Sequence, residues 1–383
     1  MNSSPILDRI TKQLEERRRT GLFRSIKPPS DVPSDVIDCS SNSYLGLHSN
    51  ESVGRETARL TDKRLSGNCS SRLIADRSDL YRQLESEIAQ WEGTETALVF
   101  TSGYAANLGI IHALCTRETE VFADRFNHAS IYDGIRLCGC RFSRYLHSDM
   151  ADLKKKLRES QAPEKLIVTD TVFSMDGDLA PLSDIAELAR SHNTLVMVDE
   201  AHATGMFGKK GSGLVEATGT EEAIAVRMGT LSKAIAGLGG YVATSGRLRD
   251  YFVNFCRSLI YSTGLPHAVL AHNLAAVRYI RSNPGLGASV VRSAGRFHEA
   301  LVQTGFASGP CTTQIVPCFL NDDREATALS DYLKQRNIIV PAIRPPTVPK
   351  GTARLRFSWS ALCGDDARET IIYHLQHWKK EHA

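Results

Sequence analysis

The sequence predicts an α/β protein built on a mostly parallel sheet that helices cover on both faces. From about residue 80 onward, short apolar runs alternate with segments of helical periodicity. Apolar strands that alternate with helices are typical of parallel sheets buried on both faces. The strand-like runs are 97–100, 120–123, 166–169, 194–198, 226–229 and 241–244.

Helical periodicity also predicts the elements that surround these strands. Residues 5–20 place Ile6, Ile10 and Leu14 on one face of a helix. Three prolines within 28–38 predict an extended connector after it. Further along the chain the same periodicity predicts helices over 79–92, 182–191 and 366–380, and short strands are predicted at 339–340 and 355–357.

A chain of 383 residues suggests two or three domains, at roughly 100–200 residues per domain. The best break after residue 100 is the Pro- and Gly-containing stretch 282–287. We therefore predict an N-terminal helix and arm over 1–44, a large domain over 45–280 and a small C-terminal α/β domain over 281–383.

Composition excludes several classes of function. With 46 basic and 43 acidic residues, the net charge of +3 is too balanced for a nucleic-acid-binding protein. The nine cysteines are scattered without a Cys-x-x-Cys motif, so neither a disulfide framework nor a zinc site is indicated. Cys138 and Cys140, the closest pair, are expected to be buried thiols. No apolar run has signal-peptide or membrane-spanning character. We expect a cytoplasmic protein with no membrane partner and no metal.

Two strand ends carry residues that suit a cofactor. Residues 101–107 form a small-residue turn after a strand, where a helix N-terminus can bind a phosphate, although an ordinary N-cap explains the turn as well. Asp199 follows a buried strand and needs a cationic partner there. A pyridinium nitrogen would serve, whereas a helix-capping aspartate is the ordinary alternative.

Lys233 and His128 complete the candidate set. Lys233 stands among small residues after another strand, where desolvation can lower its pKa and make it a Schiff-base nucleophile. A surface lysine is the ordinary alternative. His128 could stack on a flat ring or transfer a proton, and a lone histidine is more often only packed. None of these signals is specific alone.

Their order along the chain is specific. The succession of phosphate-type turn, histidine, strand-end aspartate and lysine resembles the fold-type I pyridoxal-phosphate (PLP) enzymes, the aspartate aminotransferase superfamily. Nearly the whole chain is similar to one branch, the α-oxoamine synthases, which condense an amino acid with an acyl-CoA thioester. The matching stretches are SSNSYLGL (40–47), SGYAAN (102–107), NHAS (127–130), FSMDGD (173–178), VDEAHATG (198–205), GTLSK (229–233) and YST (261–263).

The resemblance implies that PLP is bound and that Lys233, His128, Asp199 and His202 are catalytic. Lys233 would hold the cofactor as a Schiff base and move the α-proton. Asp199 would pair with the pyridine nitrogen, and His128 would stack on the ring. His202 and Ser174 would contact the side of its phenolic oxygen.

The phosphate contacts are implied in the same way. Gly103 and Tyr104 would supply backbone N–H groups, helped by Thr230. Ser262 and Thr263 would reach the phosphate of the neighbouring subunit, which makes a homodimer with shared active sites obligatory.

Substrate contacts follow from a narrower resemblance. The segment AIRPPTVPKGTARLR (342–356) is similar to the family member of biotin biosynthesis. That resemblance implies condensation of L-alanine with pimeloyl-CoA, or a pimeloyl carrier-protein thioester, to give 8-amino-7-oxononanoate, carbon dioxide and CoA. Asn42 and Arg356 would hold the amino-acid carboxylate, and Arg24, His128 and Thr347 would also contact substrate.

The sequence departs from the family pattern at several positions. Residues 67–76 align with a loop that is normally richer in glycine, with non-glycine residues at 68–70 and Asp76 where glycine is usual. Tyr81 and Asp170 stand where histidine and glutamate are common. We expect these changes to affect the acyl substrate more than the cofactor, with neutral drift as the alternative. Other open alternatives are an α-oxoamine synthase that uses glycine, serine or another thioester, an aminotransferase or aldolase of the same fold, and a degenerate dimerising subunit.

Overall fold

The computed structural model describes residues 4–20, 23, 26, 36–61, 67–75 and 79–382. It divides into two units, 1–36 and 37–383. The first contains helix α1, Pro5–Arg19, which begins at Ser4 as the N-cap residue and confirms the predicted helix. Most of the predicted connector over 28–38 lies outside the described residues. The domain boundaries near residues 44 and 280 stay predictions.

The second unit contains the remaining helices and all of the described strands. After a 3-10 turn at Leu47–Ser49, its helices are α2 (Glu51–Thr61), α3 (Arg72–Ala75), α4 (Asp79–Glu92), α5 (Gly103–Leu114), α6 (Ala129–Cys138), α7 (Met150–Glu159), α8 (Leu182–Ser191), α9 (Leu214–Thr218), α10 (Gly246–Phe255), α11 (Arg257–Ile260), α12 (His267–Ser282), α13 (Leu286–Gln303), α14 (Asp323–Lys334) and α15 (Asp365–Glu381). The strands are β1 (Ile37–Asp38), β2 (Thr96–Phe100), β3 (Thr119–Asp124), β4 (Arg141–Tyr145), β5 (Glu164–Asp170), β6 (Leu195–Asp199), β7 (Val226–Thr230), β8 (Gly240–Thr244), β9 (Ile315–Phe319), β10 (Ile338–Ile339), β11 (Ala342–Ile343) and β12 (Arg354–Ser358).

Seven strands form the central sheet in the order β2-β8-β7-β6-β5-β3-β4. All neighbouring pairs are parallel except the two that involve β8, which runs antiparallel to β2 and β7. Strands β7 and β8 are buried along their whole length because helices cover both faces of the sheet. The predicted mostly parallel α/β fold is confirmed, and each of the six predicted strands of this sheet is present.

One strand of the central sheet was missed. Strand β4 lies at the sheet edge, and most of its residues are exposed. An edge strand has one neighbour and needs no continuous apolar run, so its sequence RFSRY gives no strand signal.

Smaller sheets lie in the C-terminal part of the second unit. Strands β11, β12 and β9 form an antiparallel sheet, and β1 pairs in parallel with β10. Helix α15 buries Ile371, Leu375 and Trp378, which join the same apolar core as β9 and β12. The predicted short strands and the last helix are therefore confirmed. None of the described helices is both long and apolar enough to cross a membrane.

Candidate active site

The carboxyl ends of the central strands gather polar side chains at one edge of the sheet. Asp170, the last residue of β5, pairs in register with Asp199, the last residue of β6. A cavity of about 270 Å³ opens beside them, close to the lower end of small-molecule sites. It brings together most of the predicted site residues, namely Gly103, Tyr104, His128, Ser174, Asp199, His202, Thr230 and Lys233.

One end of the cavity is suited to a phosphate. Helix α5 begins at Gly103, after Ser102 as N-cap residue, whose hydroxyl accepts from the N–H of Ala105 at 3.0 Å. The first N–H groups of a helix have no partner within the helix and attract anions. The backbone at Gly240 passes so close to Gly103 that a Cβ added to Gly240 would lie 2.7 Å from Cα of Gly103. Thr230 lies on the same side, with Oγ1 2.8 Å from Oγ of Ser232.

The Asp199 carboxylate is held in place by two donors. Oδ2 accepts from the side-chain amide of Asn107 at 2.7 Å, and Oδ1 accepts from the N–H of Ala201 at 2.8 Å. Asp199 is buried, and its orientation toward the cavity suits the predicted pairing with a ring nitrogen. Sequence reasoning did not single out Asn107, although it lies in the quoted turn motif.

Asp170 is a second buried carboxylate in the cavity, and its position is a finding of the structure. Its Oδ2 accepts from the backbone N–H of His128 at 3.0 Å, whereas Oδ1 has no hydrogen-bond partner among the described residues. Desolvation and the nearby Asp199 charge raise the pKa of Asp170 well above its ordinary value. The sequence marked Asp170 only as a departure from the family pattern.

Lys233 has the electrostatic environment that an amine nucleophile requires. Its half-buried side chain lines the cavity. Desolvation lowers the pKa of the amine to about 8, and Arg356 adds to this effect against the opposing charges of Asp199 and Asp170. About a tenth of the amine is therefore neutral at pH 7, far more than for an ordinary lysine, and the neutral amine is the form that attacks a carbonyl.

A chain of hydrogen bonds joins the two predicted carboxylate-binding residues to His202. Arg356 donates through Nη1 to Oδ1 of Asn42 at 3.2 Å and through Nη2 to the Tyr44 hydroxyl at 3.4 Å. That hydroxyl lies 2.7 Å from Nδ1 of His202. Burial lowers the pKa of His202 well below its ordinary value, so this imidazole is neutral. Tyr44 is the member of this chain that sequence reasoning missed.

Thr347 lines a second cavity of about 340 Å³, and Ser174 lines both cavities. Arg125 and Arg144 also line the second cavity, and among the described residues their guanidinium groups lie over the rings of Phe126 and Tyr132 and form no salt bridge. Its other walls include the apolar side chains of Phe126, Phe173 and Val348. Arg24 lies outside the described residues, so its predicted substrate contact stays a prediction.

Ser262 and Thr263 lie outside the described lining of the first cavity. They adjoin the unusual 67–75 loop instead, because Ser71 pairs with Thr263 in an isolated antiparallel bridge. Tyr81 joins the loop to the same segment. Its hydroxyl accepts from the N–H of Leu265 at 2.5 Å, and the Arg72 guanidinium lies 3.8 Å from its ring centre. The loop thus contacts the segment predicted to reach the neighbouring phosphate.

A family comparison decides the class of protein. The model of the aminotransferase class I and II family matches residues 34–375. The chain belongs to this family. Its relatives include 8-amino-7-oxononanoate synthase of Trichlorobacter lovleyi, which is 42% identical over 91% of this chain and 92% of that protein.

Solved structures agree with this assignment. A structure of SPT (serine palmitoyltransferase) with a PLP internal aldimine has a TM-score of 0.90 and 30% identity, covering 97% of this chain and 96% of that chain. A structure of 8-amino-7-oxononanoate synthase from Francisella tularensis has a TM-score of 0.78 and 27% identity, covering 91% of this chain and 99% of that chain. The resemblance to the α-oxoamine synthases and the fold-type I assignment are confirmed.

The chain is therefore a PLP-dependent enzyme, and the residues of the first cavity fit the cofactor. The Gly103–Gly240 approach and the start of α5 form a phosphate cradle. Asp199 offers a fixed carboxylate, and Lys233 offers an amine with a pKa of about 8. The role of each residue is a proposal that follows from this fit.

Proposed function

We propose that this enzyme condenses L-alanine with a pimeloyl thioester, carried by CoA or by a carrier protein, to give 8-amino-7-oxononanoate, carbon dioxide and the free thiol. The observation that carries the proposal is the adjacency of two cavities that share Ser174. One contains the Lys233 amine and the predicted cofactor residues. The other offers cationic and apolar side chains to an acyl chain. The names of the relatives support this substrate pair.

The amino acid would bind by its carboxylate to Arg356, with Asn42 and Tyr44 fixing the guanidinium. Arg356 is 5% exposed, and its Nε also donates to the carbonyl of Ser174. A planar guanidinium matches a carboxylate with two parallel hydrogen bonds. This arrangement would place the α-carbon of the amino acid beside Lys233.

PLP, when bound, supplies an electron-withdrawing ring that stabilises negative charge at the α-carbon. The side chains of the protein hold and transfer the protons of the reaction. The Lys233 amine would take the α-proton of the amino acid and later return a proton to the product. Asp199 would keep the ring nitrogen protonated. The neutral His202, held in place by its hydrogen bond with the Tyr44 hydroxyl, would face the ring oxygen.

The second cavity would hold the acyl thioester. Its apolar wall of Phe126, Phe173 and Val348 suits a methylene chain, and Thr347 stands at its rim. Arg125 and Arg144 can receive negative charge, either the far carboxylate of the pimeloyl group or phosphate groups of the carrier. The thioester carbon would then face the first cavity near Ser174.

The proposed enzyme is a homodimer with shared active sites. Ser262 and Thr263 adjoin the 67–75 loop and lie outside the lining of their own chain's first cavity. This position is the one expected of residues that bind the phosphate in the partner subunit. A cytoplasmic location goes with this proposal because all nine cysteines are free thiols, which suits a reducing compartment.

A substrate panel tests the proposed function. Thiol release is measured for alanine, glycine and serine, each combined with pimeloyl-, acetyl-, succinyl- and palmitoyl-CoA. Alanine with pimeloyl-CoA is expected to give the largest kcat/KM. Arg125→Gln with Arg144→Gln should raise the KM of the thioester and leave the KM of alanine unchanged. A larger kcat/KM for serine with palmitoyl-CoA, the pairing named by the SPT neighbours, would overturn the substrate assignment while leaving the PLP chemistry intact.

A further inference from the structure

Three cysteines meet at a place remote from the cofactor cavity. The Sγ atoms of Cys115, Cys138 and Cys140 all lie within 4.8 Å of one another, and those of Cys138 and Cys140 are 3.1 Å apart. The nine cysteines are all free thiols. Sequence spacing pointed only to the pair at 138 and 140, because Cys115 comes from a different helix.

The backbone brings the three thiols together at two helix ends. Cys115 is the C-cap residue of α5, and Cys138 is the last residue of α6, which ends at Gly139 with a left-handed φ of 63°. That turn directs the chain back so that Cys140 precedes the edge strand β4. Cys115 is buried, whereas Cys138 and Cys140 are half-buried, so an ion could reach the group from solvent.

The geometry matches a soft cation with three sulfur ligands. Metal–sulfur bonds of about 2.3 Å in a trigonal arrangement place the sulfur atoms about 4 Å apart. No separation in the group exceeds 4.8 Å, and the Cys138–Cys140 pair at 3.1 Å would open by about 1 Å to bind the ion. Thiolates select thiophilic ions such as Zn²⁺ and Cu⁺ over Mg²⁺ or Ca²⁺. The partial negative charge at the C-terminal ends of α5 and α6 also favours a cation there.

The three thiols must lose protons to bind an ion. The thiolate, not the thiol, is the metal ligand, so protons leave when Zn²⁺ or Cu⁺ binds and the affinity rises with pH. The Cys138 and Cys140 sulfur atoms already lie within hydrogen-bond distance of each other.

We propose that Cys115, Cys138 and Cys140 form a three-thiolate binding site for a thiophilic d¹⁰ cation, Zn²⁺ or Cu⁺. The bound ion would join the C-terminal ends of α5 and α6. The opposite ends of these helices carry Gly103 and Tyr104 at the phosphate cradle and His128 at the rim of the cavity. The ion would therefore tie together the two helices that present these cofactor contacts.

The test uses the PLP-loaded protein with Cys69→Ser as the background, because Cys69 is an exposed thiol that could bind metal on its own. Cd²⁺ serves as the spectroscopic probe, and Zn²⁺ and Cu⁺ are then added as competitors. One equivalent of Cd²⁺ should produce sulfur-to-metal charge-transfer absorption, and at least one competitor should displace it. X-ray absorption of the loaded protein should show three sulfur neighbours at about 2.3 Å for Zn²⁺ or Cu⁺.

Serine variants locate the site. Cys115→Ser, Cys138→Ser and Cys140→Ser should each weaken Cd²⁺ binding by at least about tenfold. The matched control is Cys311→Ser, which removes another half-buried thiol and should leave Cd²⁺ affinity unchanged. X-ray absorption of the unsubstituted protein keeps the test valid if a serine variant does not fold.

Three results would overturn the site. They are the absence of a stoichiometric charge-transfer band, a coordination shell with fewer than three sulfur atoms, and equal Cd²⁺ affinity in the Cys138→Ser and Cys311→Ser variants. A fourth is a Cys138–Cys140 disulfide that dissolved oxygen, as the oxidant, forms even when Zn²⁺ or Cu⁺ is present and that excludes Cd²⁺, because the pair would then be a redox pair and not a metal site.

Discussion

The side-chain nitrogen of Asn107 donates to Oδ2 of Asp199 at 2.7 Å and also lies 2.9 Å from Oγ of Ser130. Asn107 projects from α5, the helix that begins at the phosphate cradle, and Asp199 ends β6. One amide therefore fixes the carboxylate relative to the phosphate-binding turn. A carboxylate has about four acceptor positions, so Asp199 can still accept from a protonated ring nitrogen.

Asn107→Ala should weaken PLP binding about tenfold, because a buried hydrogen bond to a charged group contributes about 1.5 kcal/mol or more. The measurement is the Kd for PLP from equilibrium dialysis. Asn127→Ala is the control, because it also removes a buried amide at the same sheet edge, one whose hydrogen bonds go to the backbone of Val168 and Asp170 and not to the Asp199 carboxylate. Equal losses in both variants would show that fold damage, and not the Asp199 contact, is responsible.

Capture of PLP by the enzyme stripped of cofactor should accelerate as the pH rises through about 8. The pKa of Lys233 is lowered to about 8, and only the neutral amine attacks the cofactor aldehyde. Stopped-flow absorbance over pH 6–10 measures the rate, and Lys233→Ala should retain no borohydride-reducible adduct. A rate that keeps rising up to the ordinary lysine pKa of about 10.4 would show that the cavity does not desolvate the amine.

The sequence predicted the central sheet well because its buried strands are continuous apolar runs between helices. It missed β4, whose exposed edge carries arginines, and β9, where Pro317 interrupts the strand signal. Proline is accepted in β9 because β9 is an edge strand of its three-stranded sheet, with β12 as its neighbour. Pairing of this kind depends on tertiary structure and leaves little local trace.

The site was predictable where a residue type has a distinct chemical role. Asp199 and Lys233 are an anion and an amine after buried strands, and their order along the chain helped to carry the resemblance. The role of the Arg356 guanidinium was then implied by that resemblance. Tyr44 holds Arg356 and Asn107 holds Asp199, through contacts that span 312 and 92 positions of the chain. Such positioning contacts cannot be read from local spacing.

Arg356→Lys should raise the KM for alanine about 10- to 100-fold, because lysine cannot reproduce the two parallel hydrogen bonds of the guanidinium to a carboxylate. Steady-state kinetics with the thioester at saturation measures the effect, and the visible spectrum of bound PLP should change little. Arg354→Lys is the neighbouring control, since Arg354 pairs with Asp176 instead. An unchanged KM in Arg356→Lys would assign the substrate carboxylate to another residue.

Tyr81→Phe should weaken PLP binding if the 67–75 loop positions Ser262 and Thr263 for the partner's phosphate. The substitution keeps the ring beneath Arg72 and removes only the hydroxyl that accepts from the N–H of Leu265. The expected loss is about fivefold, in line with one hydrogen bond of about 1 kcal/mol. Titration of PLP against the purified protein measures it, and a change confined to the KM of the thioester would instead assign the loop to the acyl substrate.

His147 should make a pH-dependent contribution to stability. Burial lowers its pKa, but hydrogen bonds to the carboxylates of Asp124 and Asp178 outweigh burial and raise the pKa to about 9. The folded-state pKa lies above the unfolded value of about 6.5. The contribution, at most about 3 kcal/mol, is therefore complete below pH 6.5 and is lost as the pH rises through 9.

His147→Gln should accordingly lower the free energy of unfolding by about 2–3 kcal/mol at pH 6 and by much less at pH 9.5. Urea unfolding of both proteins at several pH values gives the difference. His192→Gln is the control, because His192 is also half-buried and forms no salt bridge with any carboxylate among the described residues. A His147→Gln deficit that stays constant from pH 6 to 9.5 would mean that packing against Phe126 and Phe173, and not the charge between two carboxylates, is what His147 contributes.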